Sequence, residues 1–269
     1  MKMNEIKYYD IGLNLFCAQF NHPEKVLQRA WEQNVACILT GSDPEDNRKI
    51  DAYLQAHPEV TVYGTAGLHP HNADHFTEDT LQEIRRQYLE NPRIVAVGEC
   101  GLDYNRMFSK KENQLRTLER FVELAEELNA PMFLHERDAA EDFAAVFRSA
   151  PKVAERSVVH CFTGNRKTVR TYLSMGFSIG ITGWIADDRR AGELRDAVSE
   201  IPKDRILLET DAPYLIPRNV PGLVGHTNVP ENIVYVARTL AGYMQIPEDE
   251  LIRCARENTE RLFGLPSAK

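Results

Sequence analysis

The sequence has no apolar run long enough to span a membrane, no CxxC pair and no Gly-x-Gly-x-x-Gly segment. The first absence means that no membrane partner is expected. The opening stretch, MKMNEIKYYD, has no apolar core of the kind a secretory signal needs, so no cleaved leader is expected. The five cysteines, Cys17, Cys37, Cys100, Cys161 and Cys254, are odd in number and scattered. That pattern argues against a disulfide framework or a structural zinc knuckle, and fits a reducing cytoplasm. Without a glycine fingerprint after the first strand, a dinucleotide-binding sheet has no support. Positive charge is also short: 32 Lys and Arg against 40 Asp and Glu give a formal net charge of −8. A protein that grips nucleic acid by overall basicity would not carry this balance. It leaves room for local phosphate contacts, made by a few Arg or Lys side chains or by a bound cation.

What is present is a chain of 269 residues, 43% hydrophobic and 27% charged, which suits one barrel domain or two small ones. Eight short apolar or β-branched runs recur: Tyr8–Leu13, Val35–Thr40, Val60–Ala66, Arg93–Gly98, Pro131–Leu134, Ser157–His160, Phe177–Ile181 and Arg205–Leu208. Such runs, bounded by polar residues or glycine, read as strands buried on both faces. Amphipathic stretches separate most of them. In Pro23–Asn34, Val26, Leu27, Ala30 and Trp31 share one helical face, behind a proline suited to a first turn. In Lys110–Asn129 the apolar stripe runs through Leu115, Leu118, Phe121, Val122, Ala125 and Leu128. Thr77–Glu90, Asp138–Ser149, Arg166–Met175 and Arg189–Glu200 are further helix candidates. Alternating strands and helices imply parallel βα units, and eight of them predict a (β/α)8 TIM-type barrel. Two extra C-terminal helices are expected at Pro230–Gln245 and Pro247–Leu262, after a proline-containing loop at 212–229. No linker-like shift in composition interrupts the chain, so residues 1–269 are read as a single domain. An open doubly wound sheet is the structural alternative.

Polar residues gather at the C-terminal ends of these strands: His69 and His71 in GLHPH, Glu99 and Asp103 in GECGLD, His135 and Arg137 in FLHERD, His160 in VHCFTG, Glu209 and Asp211 in LLETDAPY. In a barrel those ends share one face, the face that carries the active site. Two imidazoles and two carboxylates, His135, His160, Glu99 and Asp211, make a divalent-metal set. A lone strand-end histidine is as readily a satisfied core residue, and a lone Asp or Glu as readily a helix cap. Four such residues on four strand ends are harder to explain that way, because charged groups are rarely buried without a partner. Strand alternation turns Cys100 and Cys161 away from Glu99 and His160, so both are read as core residues.

These blocks, together with IGITGW and the extension of the last one to LIPR, resemble the signatures of TatD-type deoxyribonucleases, in the family's order, from Asp10 to about Phe263. Any one block is weak; together they are specific. The resemblance implies a metal-dependent hydrolase that cleaves phosphodiester bonds in DNA, by 3′→5′ exonuclease action on single strands. It implies Glu99, His135, His160 and Asp211 as metal ligands, Asp211 also as the base for the attacking water, and His69, with His71, at the scissile phosphate. Two departures stand out. Relatives often begin with an H-x-H pair, where this chain has Gly12 and Asn14 in DIGLNL. It therefore resembles the subgroup that lacks the pair, and one ion is expected rather than two. Mg2+ is expected first, with Mn2+ or Zn2+ as alternatives, and any weakly held second ion would be one that favours oxygen. In HTNVP, residues 226–230, Val229 stands where an acidic residue is common, and no function is carried onto it.

Single-stranded DNA is the expected partner of a monomeric chain. Tyr104, Arg137 and Arg218, with Arg106, Phe108, Arg166, Lys167 and Trp184, are candidates to hold the strand, since stacking a base on an aromatic ring is worth roughly 1–3 kcal/mol. Each has an ordinary alternative as a solvated rim residue. One rival reading is an amidohydrolase-like enzyme acting on a small ester, amide or phosphoester. It lacks a bridging lysine at a strand end, since Lys110 and Lys111 fall at a helix start. A non-catalytic protein with a degenerate metal site is the other rival, and its support is the missing H-x-H pair.

Overall fold

The computed structural model describes residues 5–223 and 225–267. Four residues of the opening stretch, Val224 of the 212–229 loop, and Ala268 and Lys269 lie outside the described residues. Eight strands make one parallel sheet in chain order: β1 Tyr8–Leu13, β2 Val35–Leu39, β3 Val62–Ala66, β4 Ile94–Asp103, β5 Met132–Arg137, β6 Val158–Val159, β7 Ser178–Ile181 and β8 Ile206–Leu208. The helices are α1 Pro23–Glu32, α2 Pro44–Ala56, α3 Glu78–Glu90, α4 Lys111–Leu128, α5 Ala140–Phe147, α6 Pro151–Glu155, α7 Arg166–Ser174, α8 Gly192–Ala197, α9 Ile233–Met244 and α10 Glu248–Phe263. Alternating with the strands, they give the (β/α)8 barrel fold, with α9 and α10 as the C-terminal helices. Among the described residues, no helix is long and apolar enough to cross a membrane.

Two compact units can be distinguished. The first comprises Met1–Leu39, Cys161–Arg170 and Ile179–Lys269, and so holds β1, β2 and β8. All six residues of β1 and all five of β2 are buried, and the two strands pair from Tyr8 with Val35 to Leu13 with Leu39. Leu13 also forms a parallel bridge with Ala212, just past β8. The second unit comprises Thr40–His160 and Thr171–Ser178, and holds β3 to β6. Its core includes an aromatic cluster: Phe143 lies 5.0 Å from Phe147, 5.4 Å from Tyr172 and 5.8 Å from Phe177 between ring centroids.

Several elements differ from their expected extents for identifiable reasons. β4 runs to Asp103 rather than ending at Gly98, because β5 stays paired with it as far as Arg137. The register slips between Gly98 and Cys100, so Glu99 is the extra residue of a β-bulge. Bulges of this kind aim a side chain out of the ladder. The expected helix Asp138–Ser149 is shorter, and Pro151 starts a separate α6. Arg189–Glu200 is helical only as α8, with a 3-10 turn at Val198–Glu200, because residues 187–190 form a turn around the Asp187 carboxylate. Helix α2 begins on a capping signal: Asp43 accepts hydrogen bonds from the amides of Glu45 and Asp46 at 2.8 and 2.9 Å, ahead of Pro44.

Candidate metal centre

The second unit brings four strand-end residues together around one carboxylate oxygen. Oε1 of Glu99 lies 3.3 Å from His69 Nε2, 3.2 Å from His135 Nδ1 and 2.8 Å from His160 Nε2. The bulge makes this convergence possible: the Glu99 amide leaves the β4–β5 ladder and donates to the carbonyl of Gly41 at 2.7 Å. Gly101, two residues on, has φ +149°, and a Cβ there would lie 1.9 Å from the carbonyl oxygen of His135. Only glycine lets β4 approach β5 this closely beside the cluster.

His69, Glu99 and His135 each offer a ligand atom, and these atoms lie within 4.8 Å of one another. The donor set fits a divalent cation: imidazole nitrogens with a carboxylate oxygen suit Zn2+, Mn2+ or Fe2+. The Nε2 atom of His135 is buried and makes no well-formed hydrogen bond, its nearest acceptor being the Asp103 carboxylate at 3.5 Å, and a buried polar atom so loosely paired suits a ligand or an ion. Electrostatics agree. Burial alone would raise the Glu99 carboxyl, but His69, His160 and His135 outweigh it and hold the group well below the usual carboxylate range. Burial lowers His69 to about 4, against the pull of Glu99, so its imidazole is neutral at physiological pH and keeps a lone pair for a metal. His135 goes the other way: burial opposes its protonation, but Asp103 and Glu99 raise it.

Asp103, to which the sequence motifs assign no role, joins the cluster. It lies 2.7 Å from His71 Nε2 and 3.5 Å from His135 Nε2. Its carboxyl is pushed below the usual range by His135 and His71 in spite of burial. His71 packs edge-on to His69 at 4.1 Å and to Phe108 at 4.8 Å. The signal for Asp103 was its place at the end of the GECGLD block, on the far side of the bulge. Of the expected strand-holding residues in this unit, Tyr104 is already engaged. Its hydroxyl donates to Asp142 at 2.9 Å, and the Lys111 ammonium lies 4.7 Å from its ring centroid. Arg137 ends β5, and its carbonyl accepts from the Tyr104 amide at 2.8 Å.

The first unit holds Asp211 in a hydrogen-bonded cradle. Asp211 has φ +53°, a left-handed conformation that aspartate tolerates better than most residues. Asn14, at the second position of the missing H-x-H pair, donates from Nδ2 to Asp211 Oδ1 at 2.9 Å and to the Ala212 carbonyl at 3.3 Å. Thr210 donates from its amide at 2.8 Å, and from its hydroxyl, to the fully buried Asp10. Asn228, from the HTNVP segment, donates to the Thr210 carbonyl at 3.0 Å. The residues that open DIGLNL therefore brace the LLETD block. Glu209 accepts from the Cys161 amide in the same unit. Arg218 lies with its Nε 3.9 Å from Asp187 Oδ2. Cys100 is fully buried as expected, whereas Cys161 is only half-buried.

A family model described as TatD related DNase matches residues 9–264. The 3′-5′ ssDNA/RNA exonuclease TatD of Pantoea ananatis is 40% identical over 260 residues, covering 96% of this chain and 99% of that protein. The protein of the same description from Erwinia billingiae is 39% identical over 262 residues, covering 96% and 100%. Among solved structures, the TatD homologue YJJV from Escherichia coli superposes with a TM-score of 0.86 at 28% identity, covering 97% of this chain and 99% of that one. A TatD family hydrolase from Entamoeba histolytica gives 0.84 at 25% identity, covering 96% and 98%.

Proposed function

This chain belongs to the family of TatD-related DNases, and from that premise we propose that it trims single-stranded DNA from the 3′ end, using a cation held by Glu99, His135, His160 and Asp211. The observation that carries the reading is the group His69, Glu99 and His135, whose ligand atoms lie within 4.8 Å, in a chain matched to that family nearly end to end. His69, expected at the phosphate, lies among the ligand atoms, so we assign it to the cation and leave His71 as the imidazole nearer the phosphate. The nitrogen-rich donors argue for Mn2+ or Zn2+ alongside the Mg2+ expected from sequence.

A divalent cation bound here would polarise a phosphoryl oxygen and make a water molecule more acidic. The chain supplies the rest. Glu99 stays ionised and anchors three imidazoles. Asp211 accepts the proton of the attacking water, with Asn14 fixing its Oδ1 and the left-handed backbone fixing its direction. Asp103 orients His71 from 2.7 Å. Tyr104 contributes position rather than a free hydroxyl, since Asp142 accepts from it. We also propose a monomer, and a reducing cytoplasmic setting that suits five scattered cysteines.

The test uses chelator-stripped protein and single-stranded DNA labelled at its 5′ end, with Mg2+, Mn2+ or Zn2+ returned separately. Stepwise shortening that requires a metal, and that falls by at least about 100-fold in Glu99→Ala and Asp211→Ala, is expected. No shortening with any of the three ions, in protein shown to be folded, would overturn the proposal. A single-stranded RNA substrate run in parallel tests the second half of the relatives' description.

A further inference from the structure

Beyond the histidine–glutamate cluster, the first unit carries a concentration of positive charge on a chain whose net charge is −8. Its hub is Asp187, 3% exposed, directly after the 3-10 turn Gly183–Ala186 that follows β7. Arg189 forks onto the carboxylate, Nε to Oδ1 at 2.8 Å and Nη2 to Oδ2 at 2.6 Å. Arg190 Nε donates to Oδ2 at 3.0 Å, and Arg218 Nε stands 3.9 Å from the same oxygen. Three guanidiniums thus share one carboxylate. The neighbouring Asp188 does not neutralise them, because it pairs with Arg195 at 2.7 Å.

The arrangement is built, not incidental. A carboxylate this buried must be paired, and here hydrogen bonds to it fix Arg189 and Arg190, with Arg218 drawn into ion-pair range. Arg190 is held a second time, with its guanidinium carbon 3.8 Å from the Trp184 ring centroid. The loop after β8, which brings Arg218, packs closely against the turn. A Cβ on Gly183 would lie 2.2 Å from the Leu215 carbonyl oxygen and 2.9 Å from Pro217 Cγ. Even so, the side chains of Arg189, Arg190 and Arg218 stay 66%, 45% and 49% exposed. Each guanidinium has five N–H donors, and the bonds to Asp187 use only some of them. Outward donors on fixed cations match phosphate geometry.

We propose that Arg189, Arg190 and Arg218, clamped on Asp187, form a docking site for the phosphodiester backbone of a single strand. The class of ligand rests on the nuclease reading; the site itself rests on the geometry above. Local arginines of this kind reconcile a nucleic-acid substrate with an acidic chain.

The experiment measures anisotropy of a labelled oligothymidylate of about fifteen nucleotides, in chelator so that nothing is cut, across a range of salt concentrations. Arg189→Ala/Arg190→Ala is compared with Arg86→Ala/Arg170→Ala, which removes the same charge from α3 and α7. The clamp variant is expected to bind about tenfold more weakly, and to lose roughly 1.4 from the slope of log affinity against log salt. Arg189→Lys/Arg190→Lys should weaken binding while keeping the slope, because the charge remains and the fork is lost. Equal behaviour of the two alanine variants would overturn the proposal. So would displacement of the strand by orthophosphate at the same phosphate concentration, which would mean a simple anion site. Trimming by the unmodified chain with added metal is scored separately. Trimming without a clamp effect overturns the clamp alone, and a clamp effect without trimming overturns the nuclease reading alone.

Discussion

Glu99 and Asp10 are both buried carboxyls, and their surroundings drive them in opposite directions. Glu99 has imidazoles on its Oε1 and stays ionised. Asp10 has only hydroxyl and amide donors, from Thr210 and Gly12, and burial raises it to about 8. The folded chain therefore keeps a proton on Asp10 that the unfolded chain has released above about pH 4. Stability from this group is complete at low pH and drains away as pH rises towards about 8. Asp10→Asn, nearly isosteric and never charged, should escape that loss. Its stability relative to the unmodified chain is expected to improve from about pH 4 to about pH 8 and then level off, read from urea midpoints at a series of pH values. A gap that is flat with pH would show that Asp10 is ionised in the fold. Asn14 presents the complementary case: a neutral amide used as a hydrogen-bond donor to the Asp211 carboxylate.

Among the elements, β4 decides the site. Its ten residues are all buried, and the bulge at Glu99 lies between two glycines. Gly101→Ala must place a methyl group where the His135 carbonyl oxygen already lies, at a φ of +149°. Overpacking and backbone strain together should cost about 2–4 kcal/mol and push β5, with His135, away from Glu99. Thermal unfolding and metal affinity should both fall; an unchanged metal affinity would mean that β4 does not set the spacing of the ligands.

The same strand shows what sequence can carry. Its apolar half, Ile94–Val97, reads directly as a buried strand, and the alternation of such runs with amphipathic stretches gives the barrel. The half that holds Glu99 and Asp103 reads as a loop, because two glycines and two carboxyls conceal a strand that continues through a bulge. That Glu99, His135 and His160 meet was legible, because each is a metal-type residue at a strand end. That His69 lies against Glu99, and Asp103 against His71, was not, because it depends on how the bulge and the turn after β3 aim side chains. The arginine hub was hidden for a similar reason: Arg189 and Arg190 read as the start of an amphipathic helix, and only the fold shows Asp187 drawing them into a turn.

At the scale of the whole molecule, the eight strands form one sheet in chain order, and we propose that the chain is a single cooperative domain whose stability is linked to its metal. A ligand that binds only the folded state adds about 2.7 kcal/mol at a hundredfold excess over its dissociation constant. Calorimetric unfolding of chelator-stripped protein, alone and with Mn2+, Zn2+ or Mg2+, tests this linkage in the unmodified chain and in Glu99→Gln. One transition is expected, with a midpoint that rises with at least one of these ions, and no such rise in Glu99→Gln. Two separate transitions would contradict the single domain, and an equal rise in the variant would show that the metal is not held by the histidine–glutamate cluster.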